Sequence, residues 1–383
     1  MNQNTIKLLF ALLRSAVSGA KLTDADKALY SEEQLPSLIK ISQKHDIVHL
    51  IAFGLKKNLL VSNNDVEKYI FKAVYRYERL NYEYVRLCTA LEDAEIPFVP
   101  LKGSVLCQYY PEPWMRTSCD IDILVHGEDL ECAIDYLVQK LNYSEKERST
   151  HDVSLLSTGG NCVELHFDLV EEGRANNAIN ILKSAWDNVF PHGNNIYRHD
   201  MTDAFFYFYH IAHMAKHFEN GGCGIRPFID LWLLDRMETD KSSRDELLSK
   251  GGLLKFAVAT RKRSAIWFGE EKEDALSLQL QDFILQGGVY GTSENRVAVQ
   301  QKKKGGRIGY IMSRIFVPYE KLKRYYPVLE KHRWLTPFMQ VRRWFMLFNP
   351  DVVKMAKSEI AANSKVEKSK TDEMKKFLDD IGL

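Results

Sequence analysis

The chain has 383 residues, 45% of them hydrophobic and 27% charged, with 21 Gly and 11 Pro. That composition excludes a low-complexity or disordered chain, and the length suffices for two or three folded units. Net charge is +1, from 52 Lys and Arg against 51 Asp and Glu, which argues against a general polyanion-binding surface; a long nucleic acid would need a local basic patch.

Residues 8–13 form a short apolar run closed by Arg14, which reads as an amphipathic first helix rather than a secretory segment. No run reaches the length of a membrane span, so no membrane partner is expected. The six cysteines, Cys88, Cys107, Cys119, Cys132, Cys162 and Cys223, show no paired spacing. They read as reduced thiols, and the cytoplasm is the expected compartment.

Residues 1–94 read as an N-terminal helical segment. Ser31, Glu32, Glu33 and Gln34 form a candidate capping box, with Pro36 as an alternative helix start. A long helix opens near Asn63 and Asn64, both good caps. Val66, Ile70, Ala73, Tyr77, Leu80, Tyr84, Leu87 and Leu91 then recur at steps of four and three, one apolar stripe over seven or eight turns. The interleaved Tyr75, Arg76, Arg79, Tyr82 and Arg86 read as a solvated face rather than a nucleic-acid stacking surface.

Residues 95–175 carry the clear strand character. Pro97 to Leu101 reads as a short strand, and Lys102, Gly103 and Ser104 as the turn leaving it. A glycine there lets backbone approach a ligand, and the helix that follows offers free N–H groups to phosphate. Asp120, Ile121, Asp122, Ile123, Leu124 and Val125 form the next strand. Residues two apart share a face, so Asp120 and Asp122 point together, and a divalent cation between them would relieve their repulsion. A helix over residues 130–141 follows, then strands over 151–156 and 162–168 joined by a hairpin turn at Thr158, Gly159, Gly160 and Asn161. Glu164, His166 and Asp168 share one face of the last strand.

Residues 176–350 read as a C-terminal helical region. His210, His213 and His217 can share one face of an aromatic-rich helix, and no nearby cysteine or acid completes a zinc set around them. Gly221, Gly222 and Gly224 break that helix, and Pro227 suits the start of the next. Arg226 and Asp230 have the i, i+4 spacing of a helix ion pair. Lys302 to Arg307 is a basic, solvated loop. Residues 351–383 read as a polar helical or frayed tail.

The motifs at residues 101–103, 110–116 and 120–125 resemble the polymerase β-like nucleotidyltransferase superfamily, and within it a bacterial branch of uncharacterised nucleotidyltransferases. The shared segments are Leu-Lys-Gly, Tyr-Pro-x-Pro-x-x-Arg and Asp-Ile-Asp-Ile-Leu-Val. The resemblance implies an α+β fold, a small mixed sheet flanked by N-terminal and C-terminal helical regions. It implies transfer of a nucleoside monophosphate from an NTP, with ATP the expected donor, to a hydroxyl or amine. Two Mg²⁺ or Mn²⁺ ions would be held by three acids. It points to Glu164 as the third acid beside Asp120 and Asp122, with Asp168 as the alternative and His166 orienting a carboxylate or touching phosphate.

Gly103 and Ser104 would receive the nucleotide. Lys102 could bind triphosphate or cap a strand end; Arg116 could steady phosphate or pair with Asp120 or Asp122. The resemblance also gives His210, His213, His217, Arg226 and Asp230 a place on the acceptor side. A small-molecule or protein acceptor is expected over RNA, and DNA is not expected. The alternative is a catalytically silent scaffold that binds nucleotide or protein through the same cleft.

Overall fold

The computed structural model describes residues 2–61, 64–170, 177–237, 240–345 and 368–383. The expected cap at Asn63 and residues 351–367 of the expected tail lie outside them. The chain forms two compact units, Met1–His213 with Ile225–Leu278, and Met214–Gly224 with Gln279–Leu383.

The first unit opens with helices α1 (Gln3–Ser18), α2 (Asp24–Lys27), α3 (Leu35–Lys44), α4 (Val48–Lys57) and α5 (Asn64–Asp93). The Asn2 side chain caps α1, and Gly19 ends it at φ +80° in the left-handed region open to glycine. Ser31 makes no side-chain cap, so the expected capping box does not form. A 3₁₀ turn over Glu32–Gln34 leads into α3, with Pro36 in its first turn, where a missing N–H costs nothing. Along α5, Val66, Ala73, Leu80, Leu87 and Leu91 are buried while Tyr75 and Tyr82 are exposed. The stripe is core, and Tyr75, Arg79 and Tyr82 face solvent as expected, but Arg76 turns to the Ser118 carbonyl and pairs with Asp46.

A five-stranded mixed sheet follows, in the order β1-β2-β5-β4-β3. The strands are β1 (Phe98–Pro100), β2 (Asp120–Val125), β3 (Ser144–Arg148), β4 (Asp152–Leu156) and β5 (Cys162–His166). The short helix α6 (Lys102–Leu106) leaves β1, and α7 (Leu130–Leu141) follows β2. Strand alternation sends Ile121, Ile123 and Val125 of β2 and Val163 and Leu165 of β5 into one core with Leu80, Leu87 and Leu91 of α5 and Ala133, Ile134 and Leu137 of α7. The acids are thereby forced onto the other face. β3, Ser-Glu-Lys-Glu-Arg, is exposed throughout, a charged edge that resists pairing with another chain.

Beyond the sheet come α8 (Asn177–Lys183), the two-stranded β6 (Val189–Pro191) and β7 (His199–Met201), then α9 (Asp203–Glu219), α10 (Arg226–Leu234), α11 (Lys241–Lys250), α12 (Leu254–Phe268) and α13 (Ala275–Gln286). Strand character therefore extends past residue 176. Phe10 of α1 stacks on Trp267 of α12, ring centroids 4.3 Å apart. The second unit holds α14 (Ser293–Lys303), α15 (Arg307–Ile315), α16 (Tyr319–Tyr325), α17 (Val328–Lys331), α18 (Thr336–Phe345) and α19 (Lys368–Ile381). Leu322, Tyr326 and Leu329 form a small core there. The fold is a mostly helical α+β one. Among the described residues no helix is long and apolar enough to cross a membrane.

Candidate active site

β2 and β5 run parallel, in a register that sets Asp122 beside Glu164 and Leu124 beside His166. Two neighbouring strands thus bring their polar faces to one place. His166 Nε2 lies 3.0 Å from Asp122 Oδ1 and 3.5 Å from Glu164 Oε2. Asp122, Glu164 and His166 each offer a donor atom, all within 4.8 Å of one another. Lys102 Nζ stands 3.4 Å from Asp122 Oδ1. Asp120 accepts a 3.2 Å hydrogen bond from Ser118 Oγ.

The charges decide the state of these groups. Burial raises the Asp120 carboxyl above its usual range, and Asp122 and Glu164 raise it further. Burial works against the charge of Asp122 too, but Lys102 and His166 overcome it and hold that carboxyl well below the usual range. His166 moves up: burial opposes its charge, and hydrogen bonds to Asp122 and Glu164 outweigh burial. Lys102 also moves up: burial opposes its charge, and Asp122, Tyr209, Asp120 and Glu164 together outweigh that cost. Two cations therefore satisfy Asp122, while Asp120 is left short of positive charge. A set of carboxylate oxygens with an unmet need for positive charge fits Mg²⁺ or Mn²⁺.

The turn between β1 and α6 is fixed from three directions. The Leu101 N–H donates to the Asp122 carbonyl at 3.0 Å. Lys102 takes φ +38°, a left-handed conformation that costs a non-glycine residue about 1–3 kcal/mol and collects at functional sites. A Cβ on Gly103 would lie 2.5 Å from Ser118 Oγ, so the glycine makes room for the serine that holds Asp120. Gly103, Ser104 and Asp120 line one shallow cleft with residues of α5.

Other residues singled out by the sequence are engaged differently, although Arg116 lines the same cleft as Gly103 and Asp120. Arg116 pairs with neither Asp120 nor Asp122; its Nε donates to Asp230 Oδ1 at 2.9 Å, and Tyr110 donates to the same oxygen at 2.7 Å. Arg226 Nη1 donates to Asp46 Oδ2 and to the Thr117 carbonyl, each at 2.9 Å. Arg226 and Asp230 thus each reach across to residues 110–117. Asp168 accepts from the Val170 N–H at 2.9 Å, a local turn, and Glu164 is the acid of β5 that meets Asp122.

The three histidines of α9 diverge. His210 Nε2 donates to the Pro227 carbonyl at 3.0 Å, His213 lowers the Asp122 carboxyl through its charge, and His217 neighbours Tyr290 in the second unit. Three residues escaped the sequence reading. Ser118 lies two positions before Asp120, so strand alternation could have found it. Tyr209, whose buried hydroxyl is hydrogen-bonded to Lys102, lies four before His213 and shares its helix face. His151, with its ring 5.8 Å from that of His166, gave no signal beyond its place in a strand.

No curated protein and no solved structure matches the chain. The strand-borne acids, the Lys-Gly-Ser turn and the Arg116–Asp230 clip all fall within residues 31–269, more than half of the chain. That stretch matches the model of the uncharacterised nucleotidyltransferases, and the chain belongs to that family.

Proposed function

We propose that the protein is a metal-dependent enzyme that moves a nucleoside monophosphate from an NTP to a hydroxyl or amine of an acceptor. The carrying observation is the registered pair Asp122 and Glu164 beside Asp120, with Lys102 at hand, in a chain of this family. In the reaction the acceptor oxygen or nitrogen bonds to the α-phosphorus. The bond from that phosphorus to its bridging oxygen breaks, and pyrophosphate leaves with the electron pair.

Asp120, Asp122 and Glu164 would hold two Mg²⁺ or Mn²⁺ ions, which when bound neutralise the triphosphate and make the acceptor proton more acidic. Glu164 takes that proton on its carboxylate. His166, bonded to Asp122 and close to Glu164, keeps the two carboxylates turned toward each other. Lys102 offers a positive charge to the phosphates, and Tyr209 steadies it. Catalysis is then chiefly positioning and charge neutralisation. ATP is the expected donor and a small molecule or protein the expected acceptor. The six free cysteines favour a reducing compartment such as the cytoplasm.

The test is thermal unfolding of the wild type and Asp122→Asn with each of the four NTPs, with and without Mg²⁺. Ligand at a hundred times its dissociation constant adds about 2.7 kcal/mol. A Mg²⁺-dependent shift in the wild type that the variant loses is the expected result. A wild type that no NTP shifts, or a variant that keeps the whole shift, would overturn the proposal.

A further inference from the structure

The shallow cleft beside Asp120 is bounded on one side by α5, a helix that precedes the sheet and carries none of the acids. Its lining includes Tyr77 and Asn81 of α5, Gly103 and Ser104 of α6, Ser118 just before β2, and Asp120 at the start of β2. We propose that this cleft is the nucleoside subsite of the donor NTP, with Tyr77 packing on the base and Asn81 reading the edge of an adenine. The proposal rests on the nucleotidyltransferase reading and adds to it a binding site and a base.

The position of the acids says which substrate belongs here. Asp120 lines the cleft, whereas Lys102, Asp122, Glu164 and His166 lie beyond it. If Glu164 takes the acceptor proton, the acceptor approaches over β5 and the donor's nucleoside lies at the Asp120 end of the site. The Gly103 and Ser104 turn, which the triphosphate would follow, opens into the same cleft. A nucleoside on that triphosphate then reaches α5.

Asn81 is the residue that packing alone does not explain. It lies four positions after Tyr77 and three before Tyr84, on the face whose Leu80 is core. Asn is a weak helix former, and an aliphatic residue would serve that face better. Its amide is half-buried, and makes no hydrogen bond with any described residue. An amide presents a donor and an acceptor side by side, the pattern that pairs with the adjacent acceptor and donor of adenine. Tyr77, also half-buried, adds the flat aromatic surface that any base can stack on.

The experiment is calorimetric titration of the wild type, Asn81→Asp, Asn81→Leu and Tyr77→Leu. The ligands are ATP, GTP, CTP and UTP, and inorganic tripolyphosphate as a probe without a nucleoside, all with Mg²⁺. Unfolding temperatures without ligand verify each fold, and the near-isosteric Asn81→Asp covers the case in which a leucine variant does not fold. The wild type should bind ATP at least tenfold more tightly than tripolyphosphate and than CTP or UTP. Each variant should lose at least tenfold in ATP affinity while holding tripolyphosphate as the wild type does. Variants that bind ATP unchanged, or a wild type that binds ATP no better than tripolyphosphate, overturn the subsite and leave the nucleotidyltransferase reading standing. A preference for GTP overturns the adenine assignment. A wild type that binds neither tripolyphosphate nor any NTP sinks the nucleotidyltransferase reading and the subsite together.

Discussion

Two single residues hold the surroundings of the site by different means. His49 of α4 is buried, and its Nε2–H donates to the Met115 carbonyl at 2.8 Å, just ahead of the Arg116 clip. Burial brings its pKa down to about 4, against the pull of that hydrogen bond and of Asp46. An unfolded histidine takes a proton near pH 6.5, so the native state keeps its full margin above that pH. Between pH 6.5 and 4 protons favour the unfolded chain, by up to about 3 kcal/mol. His49→Gln, which can still donate to Met115, should flatten this part of the profile in urea unfolding at pH 7.5, 6.5, 5.5 and 4.5. An unchanged slope would rule His49 out as its source. Gly103 acts through space instead of charge. Gly103→Ala should cost about 1–3 kcal/mol by crowding Ser118, and adding Ser118→Gly should recover most of it; no recovery would mean the strain lies in the backbone. The acids were legible because strand alternation and their own charge mark them. His49 was not, because a histidine advertises nothing until its neighbour across the fold is known.

At the scale of elements, the connection from α6 to β2 has no regular structure long enough to hold itself. It is held by α10 instead. Arg116 and Asp230 are both buried, and Tyr110 shares the Asp230 carboxylate. Burial opposes the Asp230 charge, and Arg116, His210 and the Tyr110 hydroxyl together offset it, so the carboxyl lies below its usual range. Asp230→Ala leaves Arg116 charged and unpaired in the interior and should cost about 3–5 kcal/mol. Removing both charges with Arg116→Met and Asp230→Leu should be milder than the single change, whereas Tyr110→Phe should cost about 1 kcal/mol. A double variant as unstable as the sum of its parts would show that the pair is not coupled. The residues Tyr110, Arg116 and Asp230 were visible in the sequence, but the pairing of Arg116 with Asp230, 114 positions away, was not. Spacing within a helix suggested that Arg226 would meet Asp230, and tertiary structure sends each to residues 110–117. The same limit hid β3: a strand of five exposed residues has no apolar alternation to betray it.

Across the whole molecule the charges nearly cancel, at +1, yet three carboxylates gather on one face of one sheet. Zinc fingers show the extreme in which such a site folds only with its metal. Here Lys102 and His166 already answer Asp122, and the core beneath the acids is apolar and closed. The fold therefore stands without the cation, and the cation matters to the ligand. Chelation with EDTA should leave the unfolding temperature within about 1 °C, because no native ligand energy is withdrawn from a core that does not use it. Mg²⁺ alone should raise it little, since it must compete with Lys102 and His166 for Asp122. Mg²⁺ together with NTP should raise it by several degrees, because the triphosphate gives Lys102 another anion and frees Asp122 for metal. Calorimetry of the full chain in the three conditions separates these effects. Unfolding on chelation would make the metal structural and overturn this ordering. Equal shifts with Mg²⁺ alone and with Mg²⁺ and NTP would mean that the acids bind a cation without a nucleotide.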